Sequence, residues 1–256
     1  MKHQSKTAPL PHRLMKTTSI YLAKQEYVTT PEFTGYIAII LIGENKTLTI
    51  KSQEQLSPKH GKIFEFISAQ WYATNRSKSE KKIPIIIDIK EIISILGLMQ
   101  RSENRQDIIK HIQALQFMEV SYVWDNGQIL YNCFESFNII DTTFLLEVTL
   151  SPSYDRALAN AKERYINVSD VMPIRSSYAI ELAKLLQMYG SGLNTRTGKP
   201  RLVKELDHEI IENFLHLNDI EESKTVIRRA FKQLEKQISY PRYQYHNRLN
   251  LWIKNV

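Results

Sequence analysis

Ser223 to Ile238 reads as a helix with two opposed faces, and this constrains the fold more than any other segment. Ile227, Ala230, Phe231, Leu234 and Ile238 fall within a narrow arc, while Thr225, Arg228, Arg229, Lys232 and Lys236 project on the opposite side. The first face must lie on a core; the second faces a polyanion or water. From Lys224 to Val256 there are eight Lys and Arg against one acidic residue, Glu235, an excess of +7 equal to that of the whole 256-residue chain. Lys and Arg neutralise phosphates and release counterions, and an Arg fork can pair with the O6 and N7 edge of guanine. A solvated basic face is the competing reading of such a helix in isolation. Its position as the last helix before a hairpin favours duplex DNA.

That hairpin runs from Tyr243-Gln244-Tyr245 through His246-Asn247 to Leu249–Ile253, with Arg242, Tyr243, Tyr245, His246 and Arg248 along it. The tyrosines can bind phosphates or pack the sheet. Upstream, Ser176 and Ser177 precede a helix with Tyr178, Leu182, Leu185, Leu186 and Tyr189 on one side, closed by Gly190. After a polar loop from Ser191 to Arg201, Asp207 caps a short helix and Ser223 the basic one.

The same order is written once before. A β-hairpin pattern around Gly43-Glu44-Asn45-Lys46 is followed by Ser57-Pro58, a cap before a helix to about Asn75 with Ile63, Phe64, Ile67 and Trp71 on one side. Ile83 to Ile87 reads as a strand, and Asp88 caps a helix that stops at Gly97. Ser102 caps a third helix with a core stripe of Ile108, Ile109, Ile112 and Leu115 and a polar face of Gln106, Lys110, Gln113 and Arg105. Val120 to Trp124 and Gln128 to Phe137 then alternate around Asp125-Asn126-Gly127, an Asn-Gly hairpin that places Tyr122 on a wing, and Phe144 to Leu150 completes the sheet. Helix, strand, helix, helix, hairpin is the order of a winged helix-turn-helix domain. The expected class is therefore α+β, with two tandem winged helix-turn-helix domains and β-hairpin wings. The expected division is a flexible arm to residue 30, a first domain to 150, a linker from 151 to 172 and a second domain from 173 to 256.

Composition narrows the function. With 43% hydrophobic and 24% charged residues the chain can bury two cores. One cysteine, Cys133, can form neither an intramolecular disulfide nor a Cys-cluster zinc site, which fits a reducing cytoplasm. The longest apolar run, Tyr36 to Ile42, has seven residues against the roughly 20 a membrane span needs. The nearest approach to a phosphate-binding loop, Gly192 to Pro200, lacks its first glycine at Leu193 and has Pro200 after Gly198-Lys199. The seven histidines show no metal-ligand spacing. No enzymatic role, metal or cofactor is expected.

The run from Ser176 to Tyr189, SSYAIELAKLLQMY, resembles the helix that opens the second winged helix of plasmid replication initiator proteins of the iteron-binding Rep type. Leu150-Ser151-Pro152 resembles the step into that region, and Lys224 to Ile238 looks like the family's second recognition helix. The similarity spans about Ser57 to Ile253. Glu181-Leu182-Ala183 departs from the family's usual Arg-Leu-Tyr, and Gly190 to Arg201 falls in its variable loop. The resemblance implies a protein that binds double-stranded DNA at directly repeated origin sites, or iterons, and recruits host replication initiation factors and the replicative helicase. It also implies a monomer that initiates, a dimer that represses its own gene, and a dimer contact supplied largely by the first domain.

Three rivals follow from the residues themselves. A dimeric winged-helix repressor would share the basic helix but bind an inverted repeat. A rolling-circle nuclease needs a His-x-His metal pair, which the chain lacks, and a scaffold without a DNA role would bind no duplex in a salt-dependent way.

Overall fold

The computed structural model describes residues 7–11, 19–42, 46–75, 82–125, 127–140, 144–160, 163–190, 201–218, 221–238 and 240–255. The expected turn residues Gly43, Glu44, Asn45 and Asn126, and the loop from Ser191 to Pro200, lie outside them. Two compact units are present, Lys24–Lys162 and a discontinuous unit of Met1–Ala23 with Glu163–Val256. The first strand, β1 (Thr7–Pro11), belongs to the discontinuous unit.

The internal unit opens with β2 (Glu26–Thr29), β3 (Thr34–Leu41) and β4 (Thr47–Ser52), followed by α1 (Pro58–Asn75). Pro58 takes the first helical position, as Ser57-Pro58 predicts. The 18-residue helix is buried almost all round rather than on one side, since Lys62, Glu65 and Ser68 are covered along with Ile63, Phe66, Ile67 and Trp71. β5 (Ile85–Asp88) leads into α2 (Ile89–Ile95), where the Asp88 carboxylate accepts from the Lys90 N–H at 2.8 Å. Gly97 ends this helix at φ +68°, the left-handed conformation that favours glycine. In α3 (Ser102–Gln116) the cap position is Arg101, and Ser102 is the first helical residue instead of the cap.

After α3 the structure departs from the expected wing. β6 (Glu119–Trp124) and β7 (Gly127–Asn132) do form a hairpin, but β6 pairs with β4, giving a five-stranded sheet in the order β2-β3-β4-β6-β7. The expected strand from Gln128 to Phe137 is two strands in different sheets, broken at Cys133. β8 (Phe134–Ile140) pairs with β9 (Leu145–Leu150), and β9 pairs with β5. The winged helix of this unit is therefore α1, β5, α2, α3 and the hairpin β8–β9. Tyr122, expected on a wing, packs 5.2 Å from Trp124 in the other sheet. α4 (Pro152–Asn160) completes the unit; Tyr154 is buried against Phe64 and Tyr131, at ring distances of 5.0 and 5.4 Å.

The discontinuous unit resumes with β10 (Glu163–Asn167) and a short α5 (Val168–Val171), so the expected linker is divided between the two units at Lys162. Two described stretches of the expected arm are structured. β1 pairs antiparallel with β10 from Thr7↔Asn167 to Pro11↔Glu163, and Ser19, Ile20, Tyr21 and Ala23 are buried. In α6 (Ser177–Met188) the Ser176 side chain accepts from the Ala179 N–H at 3.5 Å. Glu181 and Lys184, buried on this helix, form an ion pair at 2.8 Å, and the Ser19 hydroxyl donates to the other Glu181 oxygen at 2.8 Å. Gly190 follows for a steric reason: a Cβ there would lie 1.4 Å from the Arg201 carbonyl oxygen. Then come β11 (Glu205–Asp207), α7 (His208–Phe214), α8 (Ser223–Ile238), β12 (Tyr243–His246) and β13 (Leu251–Lys254), with strand order β11-β13-β12. This is a second winged helix, and its wing is the hairpin that the sequence predicts. Among the described residues no helix is long and apolar enough to cross a membrane.

Candidate nucleic-acid interface

The site grows from the packing under α8. Ile227, Ala230, Phe231 and Leu234 are buried, which fixes the opposite face outward. Ser223 is the first helical residue; its hydroxyl donates to Glu212 of α7, and the Thr225 N–H is received by the Glu222 carbonyl at 2.8 Å. Phe231 stacks on Tyr243 of the wing at 4.8 Å and 22°, and lies 4.8 Å from the Trp252 ring. The Trp252 indole N–H donates to His208 Nδ1 at 3.1 Å, and His208 Nε2 lies 3.1 Å from the Glu212 carboxylate. Burial pushes the His208 imidazole below its ordinary pKa, and the Glu212 charge offsets this incompletely. A neutral ring with its lone pair on Nδ1 is what the indole donor needs. Helix and wing are thus joined through an aromatic core.

On the outer side, Arg228, Arg229, Lys232 and Lys236 of α8 are exposed, with Thr225 half-buried beside them. Arg242 and Arg248 of the wing are exposed as well. None of these six cations has a side-chain hydrogen-bond or ion-pair partner among the described residues. Uncompensated cations repel one another, so a row of them costs stability unless an anion arrives. Arg228, Lys232, Glu235, Arg242, Gln244 and Tyr245 line a shallow cleft of about 490 Å³ between α8 and the wing, floored by Phe231, Tyr243 and Trp252. Gln244 was not singled out from the sequence, although strand alternation with inward Tyr243 points it outward.

The wing tyrosines pack the sheet. Tyr243 is 5% exposed, its hydroxyl donates to the Val203 carbonyl, and burial pushes its phenol up. Tyr245 donates to Asn250 at 2.6 Å and carries the Lys224 ammonium 4.8 Å above its ring.

In the internal unit, Gln106, Lys110 and Gln113 share an exposed face of α3, as expected. Arg105 differs: it is half-buried, with its guanidinium 5.0 Å over the Phe144 ring. Asp107 of α3 pairs with Lys59 and lies 3.6 Å from His111. Burial pushes the Asp107 carboxyl up, but the Lys59 hydrogen bond and neighbouring positive charges outweigh this and hold it below the usual carboxylate range. The charge division is sharp. The discontinuous unit holds 19 Lys and Arg against 11 Asp and Glu, while the internal unit holds 15 against 16. Among the described residues no group of His, Cys, Asp and Glu is arranged to hold a metal ion.

Comparison with solved structures supports this architecture. Domains 2 and 3 of RctB superpose with a TM-score of 0.58 at 10% identity, covering 89% of this chain and 85% of that one. The Pi initiator protein, solved in complex with iteron DNA, superposes with a TM-score of 0.56 at 11% identity, covering 78% of this chain and 92% of that one. No curated protein matches the chain by sequence. The WH1 family model of initiator replication proteins matches residues 41–187, which takes in the whole internal winged helix and the opening helix of the second. Two winged helices, one with an exposed cationic helix and wing, and a family match over more than half its length make this chain a member of the initiator replication protein family.

Proposed function

We propose that this chain binds directly repeated duplex sites at its replicon's origin and starts replication there. The exposed cationic face shared by α8 and the wing carries the reading, since it suits a phosphate-lined groove. The structural likeness to an initiator solved on iteron DNA supports direct repeats as the target. The discontinuous unit is the main DNA-binding unit, and Gln106, Lys110 and Gln113 of the internal unit add a weaker contact. Arg105 adds none, because its guanidinium is committed to Phe144. Host initiation factors and the replicative helicase are recruited after binding.

The selection of bound duplexes from random and plasmid DNA, followed by footprinting, tests this reading. Tandem direct repeats of about two helical turns per protein support it; a single inverted repeat replaces it with the repressor reading. Arg229→Ala is expected to cost about 1 to 3 kcal/mol on the selected site and to relax preference at one base pair, read by competition binding. Unchanged affinity and preference would remove α8 from the interface.

Autorepression by a dimer is the second part of the proposal. The outer face of the five-stranded sheet exposes Ile39 (66%), Leu41 (78%), Val123 (44%) and Leu130 (49%). β-strand register brings Leu41, Thr47 and Val123 into one row and Ile39, Thr49, Ser121 and Leu130 into the next. Four exposed apolar side chains gathered on one sheet face, with Thr47, Thr49 and Ser121 between them, favour a protein contact. Leu41→Glu is expected to weaken self-association at least about tenfold in sedimentation equilibrium, through a buried unpaired charge, while leaving unfolding stability near wild type.

A further inference from the structure

We infer that the cleft between α8 and the wing is a clamp for one DNA backbone phosphate, with Glu235 set in it as a brake on affinity; this rests on the reading of α8 as the DNA-binding helix. Each helical residue turns by about 100°. Arg228, Lys232 and Glu235 therefore share one stripe, and these three line the cleft with Arg242 of the wing. Arg229 and Lys236 lie on a second stripe about 80 to 100° further round from Arg228, outside the cleft. The two stripes have different work. Fork and ammonium donors lining one cleft from a helix and from the entry to the wing suit a tetrahedral phosphate, whereas Arg229 stands outside it and can reach a base edge.

The floor of the cleft offers no stacking platform. Tyr243 is 5% and Trp252 1% exposed, so neither ring offers a face on which an unpaired base could stack. Three cations remain against one carboxylate, and none of the four has a side-chain partner among the described residues. Glu235 is thus not spent on holding Arg242 or Lys232 in place. Its charge acts on whatever anion enters, and a phosphate carries no sequence information, so the repulsion applies to every duplex alike. The clamp fixes the register of α8 while the carboxylate keeps binding to random DNA weak enough to reverse.

The test measures fluorescence anisotropy of the full chain on two duplexes over a salt series: the selected site and a shuffled sequence of the same composition. Arg242→Ala is expected to weaken both by the same factor, about tenfold, and to reduce the salt slope by about 0.9. Glu235→Gln is expected to tighten both by the same factor, about 2- to 5-fold. Because both side chains are exposed, thermal unfolding of the variants should match wild type. If Glu235→Gln weakens the selected duplex alone, the carboxylate accepts a hydrogen bond from a base edge such as cytosine N4, and the brake is overturned. If Arg242→Ala changes neither duplex, the clamp is overturned. A wild-type chain that binds both duplexes equally, with Arg242→Ala weaker on both, would refute the origin-site reading and keep the clamp; binding to neither would refute both.

Discussion

Lys184→Met is expected to lower the unfolding free energy of the discontinuous unit by about 3 to 5 kcal/mol, read by urea denaturation. The Lys184 and Glu181 side chains are each 1% exposed and joined at 2.8 Å. Removing the ammonium leaves a carboxylate in the interior with the Ser19 hydroxyl as its remaining donor in this cluster, and an uncompensated buried charge is costly. The same carboxylate ties the N-terminal segment down: the Ser19 N–H donates to the Phe214 carbonyl at 3.0 Å, and the His216 ring lies 3.0 Å from the Ser19 carbonyl. Loss of the ammonium should therefore also loosen residues 19–23, visible as faster amide exchange there. The double variant Glu181→Leu with Lys184→Met removes both charges and should recover most of the loss, since apolar replacement of a buried pair is near neutral. A single variant within about 1 kcal/mol of wild type would show that the pair contributes no more than an exposed one.

Acid is expected to destabilise the internal unit well before its carboxylates titrate. His60, at the third position of α1, receives the Ser57 N–H on Nδ1 at 3.0 Å, so that nitrogen must keep a lone pair. Burial, the adjacent His111 ring at 4.4 Å and the charge of Lys59 hold its pKa down to about 3, against 6.5 in an unfolded chain. Above pH 6.5 the ring is neutral in both states and stability is independent of it. Between pH 6.5 and about 3 the unfolded chain binds a proton that the folded chain refuses. Stability then falls by about 1.4 kcal/mol per pH unit, for a total of about 5 kcal/mol. Asp107 works in a lower window, since a depressed carboxyl loses its contribution only below its ordinary value of 3.8. His60→Gln should therefore flatten the slope of unfolding free energy against pH between 4 and 6 by close to one proton. An unchanged slope would mean that the ring is protonated in place.

Much of this was legible in the sequence because it is written in short-range pattern. The α8 arc, the Asp88 and Asp207 caps, Ser176 before α6 and the terminal hairpin depend on residues within a few positions of one another. The cationic face of α8 could be read the same way, since burying Ile227, Phe231 and Leu234 leaves Arg228, Arg229 and Lys232 outside. The first wing could not. The Asn-Gly signal identifies the β6–β7 hairpin correctly, yet whether its free edge joins β5 or β4 depends on partners far along the chain. β4, with Leu48 and Ile50 inward, offers an alternation that matches Val120 and Tyr131, and it takes the hairpin. Arg105 shows the same limit in one side chain, because its spacing on α3 is that of an exposed residue and the Phe144 ring decides otherwise.

By itself, then, the sequence determined two winged helices, the caps at Asp88, Ser176 and Asp207, the terminal wing and the cationic face of α8, because helical and strand periods and charge placement are local properties of the chain. The tertiary structure alone decided which hairpin serves as the first wing, that residues 7–11 and 19–23 belong with Glu163–Val256, and that Glu181 and Lys184 meet in a buried pair with Ser19. Those choices join residues up to 162 positions apart. They are settled by which buried surfaces and hydrogen bonds fit together, and no spacing rule along the chain encodes them.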